Sequence, residues 1–67
     1  MNLTPKQKDI IVKAAQGWTN AEIADSLGQK ERTIKNNWSK LFKKMEVRSR
    51  THAVALAIIK EWVRVEL

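Results

Sequence analysis

The residues with the most evident chemistry in this sequence are basic, and they are concentrated in one segment. Residues 30–50 contain eight lysines and arginines and two glutamates, which accounts for the whole net charge of +6. The rest of the chain is neutral. The basic residues of the segment are Lys30, Arg32, Lys35, Lys40, Lys43, Lys44, Arg48 and Arg50. Such a concentration produces a local positive field that suits a polyanion or an anionic membrane surface.

The sequence contains no comparable arrangement of residues for catalysis or for metal binding. The carboxylates of Asp9, Glu22 and Asp25 are not paired in the way that acid–base catalysis requires. The single histidine, His52, cannot build a zinc site alone, and the chain has no cysteine. We therefore predict that the protein is not an enzyme, has no metal site and uses no cofactor.

The length and hydropathy of the chain limit it to one small domain. The sequence has 67 residues, and its longest fully apolar run is Ala53–Ile59. A membrane span needs roughly 20 apolar residues, and the N-terminal stretch MNLTPKQKD has no apolar signal core. We predict a single domain over residues 1–67 that lies in the cytoplasm and has no membrane partner.

The predicted fold is all-α, a compact four-helix domain without strands. Apolar residues recur at helical spacing in four segments that are separated by turn residues. We expect helices over about residues 5–16, 20–27, 31–45 and 50–64.

Capping residues indicate where these helices begin and end. A Thr-x-x-Gln capping box opens the first helix at Thr4, and a Thr-x-x-Glu box opens the second at Thr19. Gly17 and Gly28 follow these two helices, and glycine accepts the left-handed conformation of a C-terminal cap. Ser49 is expected to cap the fourth helix.

The predicted third helix has one apolar face and one basic face. Ile34, Trp38, Leu41 and Met45 are spaced four, three and four residues apart, so they form a stripe that faces the core. The other side carries mainly Arg32, Lys35, Asn36, Ser39 and Lys43. One face therefore anchors the helix while the other is available to a partner.

The predicted fourth helix is apolar over most of its circumference. One stripe contains His52, Leu56, Ile59 and Val63. A second contains Val54, Ile58 and Val65, with Trp62 at its border. Because a domain of this size has one core, one stripe lacks an internal partner, and an exposed apolar stripe usually marks an interface.

The second and third helices have the parts of a helix-turn-helix, namely a short helix, a glycine-containing turn and a helix with a basic outer face. In that motif one helix enters the major groove of DNA, which is wide enough to admit it. Side chains near its start reach base edges, and surrounding basic and polar groups hold phosphates.

The sequence resembles the LuxR/FixJ-type (GerE-like) helix-turn-helix family over about residues 3–63. Two segments carry the resemblance, LTPKQKDIIVKAAQGWTNAEIADSLG and RTIKNNWSKLFKKMEVRSRTHAVALA. The family implies a tetra-helical DNA-binding domain of bacterial transcription regulators. Its third helix reads the major groove, and its fourth helix pairs two subunits on a two-fold operator.

This resemblance implies roles for particular residues when it is carried over by position. The base contacts would be Lys35, Asn36 and Ser39. The phosphate contacts would be Thr19, Asn20, Arg32, Thr33, Lys40 and Arg50. The dimer interface would be Val54, Ala55, Ile58 and Trp62. The implied partners are double-stranded DNA, a second copy of the chain and RNA polymerase, and the implied location is the nucleoid.

Other interpretations of the same residues stay open at this point. The basic face and the apolar fourth helix would also suit a protein-interaction module or a module that binds an anionic surface. Lys43 and Lys44 either contact phosphate or only favour the C-terminal dipole of their helix. Trp38 is expected in the core rather than as a platform for base stacking, and Trp62 is either core edge or dimer contact.

Overall fold

The computed structural model describes residues 1–66 and consists of four α-helices. The helices are α1 (Pro5–Ala15), α2 (Asn20–Ser26), α3 (Glu31–Met45) and α4 (Arg50–Ile59). The described residues contain no β-strand, so the predicted all-α, four-helix fold is confirmed. The first three helices match their predicted limits to within one residue.

The predicted capping residues begin three of the four helices. The side chains of Thr4 and Thr19 accept the backbone N–H groups of Gln7 and Glu22, and both reciprocal hydrogen bonds of each capping box are present. The Ser49 hydroxyl accepts the backbone N–H of His52 at 3.1 Å. Helix α3 begins after Lys30 with no side-chain cap, since a lysine side chain has no acceptor to offer.

Each helix is followed within two residues by a residue in the left-handed conformation. Gly17 and Gly28 have φ values of 93° and 65°, as their positions in the sequence predict. Glu46 and Glu61 each have a φ of 58° and end α3 and α4 in the same way. After α4, the backbone N–H of Trp62 donates to the Ala57 carbonyl at 2.9 Å, which turns the chain back toward the domain.

The prediction that the fourth helix extends to residue 64 is therefore wrong, because α4 ends at Ile59. The reversal at Glu61 allows Val63 to be buried in the core. Gln16 then ties the tail to the end of α1 by donating from Nε2 to the Glu66 carbonyl at 3.0 Å. Burying one valine contributes about 1.5–3 kcal/mol, which offsets the roughly 1–2 kcal/mol cost of a left-handed residue that is not glycine.

All four helices contribute to one apolar core. Its most deeply buried large side chains are Ile10, Ile11, Ile23, Ile34 and Leu41. Leu3, Ala24, Trp38, Met45, Val47, Ala53, Ala57 and Val63 complete it. Helix α3 packs against the other three helices, so its four predicted core residues are fixed from several sides.

Helix α4 is most deeply buried at small residues, whereas Leu56 and Val54 of the two predicted apolar stripes are half-buried against the core. Ala53 and Ala57 are fully buried, because small side chains let the helix approach its neighbours closely. Ile59, which belongs to the first predicted stripe, is 74% exposed, and Ile58 of the second is 45% exposed. An apolar surface without an internal partner is therefore present on α4, as expected.

Within residues 1–66, no helix has the length and apolar character needed to cross a bilayer.

We expect the capping box of α2 to make stability depend on acid. The Thr19 backbone N–H, and after it the Thr19 hydroxyl, lower the pKa of Glu22 below its ordinary value of 4.5. A lowered carboxyl pKa stabilises the fold above the unfolded pKa, and this contribution is lost as pH falls through the folded pKa. Glu22→Gln keeps an acceptor and should remove that part of the pH dependence, measured by thermal unfolding between about pH 2 and 6.

Asp25→Asn is the matched control, since it removes an exposed carboxylate from the same helix without touching the box. An acid-induced loss of melting temperature that is the same in Glu22→Gln as in the unchanged protein would contradict this prediction.

Candidate functional site

The exposed face of α3 carries a continuous row of polar and basic side chains. At about 100° per residue, this row lies opposite the buried stripe of Ile34, Trp38, Leu41 and Met45. We call it the polar row, and it consists of Arg32, Lys35, Asn36, Ser39, Lys40 and Lys43, all of them exposed. The structure thus brings all three predicted base-contact residues to one surface of one helix.

The side chains at the centre of the polar row are only loosely held. Lys35 Nζ lies 3.8 Å from Glu31 Oε1, and both side chains are largely exposed. Exposed ion pairs of this kind contribute about 0–1 kcal/mol, so Lys35 can leave Glu31 for another partner. The Ser39 hydroxyl donates to the Lys35 carbonyl at 3.3 Å, which leaves its oxygen able to accept a hydrogen bond.

Four of the predicted phosphate-contact residues lie in this row, beside it or just before α2. Arg32 and Lys40 are exposed on α3, and Thr33 is half-buried beside them. Thr19 is exposed at the start of α2, where its oxygen accepts the Glu22 backbone N–H. The same hydroxyl also hydrogen-bonds the Glu22 carboxyl, so it would have to turn away from Glu22 to donate to an anion.

The other two predicted phosphate-contact residues, Asn20 and Arg50, make hydrogen bonds inside the protein. Asn20 Oδ1 accepts from Trp38 Nε1 and from Arg50 Nη1, each at 3.0 Å. Arg50 Nη2 also donates to the Trp18 carbonyl, and the guanidinium carbon lies 5.4 Å from the Trp38 ring centroid. We call Asn20, Trp38 and Arg50 the polar junction, because they join α2, α3 and α4.

Sequence reasoning placed Trp38 in the core, which is confirmed, but missed its polar role. The side chain is buried, and an indole N–H buried without an acceptor costs about 1–3 kcal/mol. A tryptophan buried in a core therefore needs a hydrogen-bond acceptor for its indole N–H. The acceptor lies 18 residues away on another helix, so no local sequence pattern identifies it.

Three of the four predicted dimer residues lie together in a groove between the end of α1 and α4. Val54, Ala55 and Ile58 line it together with Ala14, Ala15, Arg50 and Thr51, and its volume is about 410 Å³. Trp62 does not line this groove, because it lies beyond the end of α4, half-buried against the core. The groove is mostly apolar and opens to solvent.

The last turn of α3 carries two lysines, and one of them reaches α1. Both Lys43 and Lys44 are exposed, and Lys44 Nζ donates to Gln7 Oε1 at 3.4 Å. Both lysines lie in the last turn of α3, where a positive charge interacts favourably with the helix dipole.

The only acidic side chains between residues 30 and 50 are Glu31 and Glu46, at the two ends of α3. The surface field along α3 is therefore positive.

Comparison with known proteins identifies relatives of this chain. A family model described as "Bacterial regulatory proteins, luxR family" matches residues 1–57. The chain is 42% identical over 55 residues to the transcriptional regulatory protein ComA of Bacillus subtilis, covering 82% of this chain and 26% of ComA. It is 46% identical over 55 residues to the CsgBAC operon transcriptional regulatory protein of Escherichia coli, again covering 82% of this chain and 26% of the relative.

The chain therefore spans about a quarter of the length of these curated relatives. Among solved structures, the transcription factor GerE superposes with a TM-score of 0.90 at 20% identity, covering 96% of both chains. At that identity the superposition shows a shared fold.

Proposed function

The chain belongs to the luxR family of bacterial regulatory proteins, and from that membership we propose that it reads double-stranded DNA by sequence. It is a LuxR-type DNA-binding domain of a transcription regulator. In our proposal α3 lies in the major groove, and two copies bind a two-fold site through α4. The single domain would comprise residues 1–67, of which residue 67 lies outside the described residues.

The observation that carries this proposal is the exposed polar row on a helix whose other face is buried. One α-helix fits the major groove, so only the exposed face of α3 has to meet the bases. Lys35 suits guanine O6 and N7, and Asn36 suits adenine N6 and N7. The hydroxyl of Ser39 would accept from or donate to either kind of base edge.

Contacts to phosphate would supply most of the affinity and fix the orientation of α3. Arg32 and Lys40 lie at the margins of the polar row, where a groove-bound helix approaches the DNA backbone. Thr33 would add a hydrogen bond from its hydroxyl, and Thr19 would do so by turning its hydroxyl from Glu22 to the phosphate. Such contacts carry no sequence information themselves, so discrimination would depend on the base-contact residues.

Dimerisation through α4 is supported by the apolar groove and by the exposure of Ile58. A two-fold interface uses the same surface on both copies, and the groove of one copy could receive Ile58 of the other. The two copies of α3 would then enter successive major grooves, with half-sites about one helical turn apart. The half-buried Trp62 would lie at the edge of this contact.

A DNA-binding role indicates where the protein acts and which further partner it has. We propose that it acts in the cytoplasm at the nucleoid, without a cofactor, and that RNA polymerase is a further partner. A membrane-surface role finds less support, because lipid binding by a basic helix needs its apolar face free for the bilayer. The apolar face of α3 is buried in the core.

A binding selection tests the proposed function as a whole. We would mix the protein with random duplexes at near-physiological salt, sequence the bound fraction and titrate the selected duplex against a shuffled one. We expect a two-fold symmetric motif that binds about 10³-fold or more tightly than the shuffled duplex. Equal binding of both duplexes that disappears with added salt would mean that the polar row only clamps phosphate.

Lys35→Ala tests the base-contact role of the polar row. The substitution should weaken binding to the selected duplex by about 1–3 kcal/mol, the usual contribution of a good base contact. Binding to the shuffled duplex should change much less. Fluorescence anisotropy with both duplexes gives the ratio, and Lys8→Ala on α1 is the control for loss of one exposed positive charge. An unchanged ratio in Lys35→Ala would exclude this role.

Ile58→Asp tests the dimer interface, with Ile59→Asp as a matched control. Both residues are exposed isoleucines on α4, but only Ile58 lines the groove. Burying an isoleucine contributes about 1.5–3 kcal/mol, so Ile58→Asp should weaken binding to the full site roughly tenfold or more. Binding to an isolated half-site should not change. If Ile59→Asp has the larger effect, the copies pair through another face.

A further inference from the structure

The family resemblance implies phosphate contacts for both Asn20 and Arg50, and the polar junction indicates that the two residues have different roles. Arg50 uses two of its five N–H donors inside the protein and stacks on Trp38, so its guanidinium is held in place. Asn20 is engaged at its oxygen only. The two residues therefore differ in what they have left to offer an anion.

The orientation of the Asn20 amide is fixed by the chemistry of its partners. Trp38 Nε1 and the guanidinium of Arg50 are donors with no acceptor capacity, and both lie 3.0 Å from the same atom of Asn20. That atom must be the carbonyl oxygen, since an NH₂ group cannot accept. The NH₂ group is consequently held at the opposite end, and none of the hydrogen bonds among residues 1–66 uses it.

The partners that fix this amide are themselves well held. Trp38 is buried in α3, and its ring also packs against Phe42 at a centroid distance of 5.9 Å. Arg50 is the first residue of α4 and is held by the carbonyl of Trp18 in the turn before α2. Movement of any of these residues would let the amide rotate or flip.

We infer that Trp38 and Arg50 are positioning residues that orient the Asn20 NH₂ group to donate to a DNA phosphate. This inference rests on the proposed function, because it assigns a contact within that DNA complex. Arg50 acts through Asn20 and does not itself bind phosphate. The junction also fixes the start of α2 relative to α3, so the phosphate contact sets the depth at which the polar row enters the groove.

A double-mutant cycle between Trp38 and Asn20 tests this positioning. Trp38→Phe removes the indole N–H and keeps an aromatic ring, and Asn20→Ala removes the amide. We expect each single variant to bind the selected duplex about three- to tenfold more weakly, the range of one hydrogen bond. The double variant should bind no more weakly than Asn20→Ala alone, since Trp38 acts through Asn20. Losses that multiply in the double variant would overturn the inference.

Arg50→Lys separates positioning from direct charge contact. Lysine keeps the positive charge but cannot donate to Asn20 Oδ1 and the Trp18 carbonyl from one planar fork. A positioning role predicts a loss similar to that of Asn20→Ala, whereas a direct phosphate contact would be largely preserved. Near-unchanged affinity in Arg50→Lys would therefore overturn the role given to Arg50. Trp18→Phe is the control, because it keeps the backbone carbonyl and changes only a half-buried ring.

Indole ¹H–¹⁵N resonances give a readout in the free protein that a general loss of stability would not imitate. The resonance lost in Trp38→Phe identifies Trp38, and this resonance should move in Asn20→Ala while that of Trp62 stays in place. In the unchanged protein, the Asn20 side-chain NH₂ resonances should shift on addition of the selected duplex. If the NH₂ resonances do not move although the duplex binds, the inference fails and the proposed function stands. If no duplex is bound selectively, both fail.

Discussion

Burial of one face of α3 is the constraint on which the surface of this domain depends. Ile34 and Leu41 are completely buried, and each contributes about 1.5–3 kcal/mol by leaving water. Rotating α3 about its axis would expose them, so the core fixes the direction in which the opposite face points. The lysines of the polar row need no internal partner to be positioned, because the apolar residues between them decide where they lie.

The parts of this arrangement that depend on local sequence were predictable. Capping boxes at Thr4 and Thr19 involve side chains three residues apart, and their chemistry is independent of the rest of the fold. The buried stripe of α3 follows from spacing alone, as does the exposure of Lys35 and Asn36. The roles of individual residues toward DNA came from the family resemblance, and they stay predictions.

The parts that depend on distant contacts were not predictable. Nothing in the sequence between Ile59 and Glu61 stops a helix, and α4 ends at Ile59 because the residues after Glu61 pack back on the core. The fully buried residues of α4 are Ala53 and Ala57, whereas hydrophobicity alone favoured the larger residues around them, which are half-buried or exposed. The hydrogen bonds of Asn20 join residues that are 18 and 30 positions apart, so only the fold reveals them.

The short connections between the helices have a consequence for the kinetics of this domain. Residues 16–19, 27–30 and 46–49 are the only links between successive helices, so bringing neighbouring helices together closes small loops. Helical domains dominated by such local contacts fold on the order of microseconds to milliseconds. A copy of the domain that unfolds is therefore expected to regain its fold within about the same time.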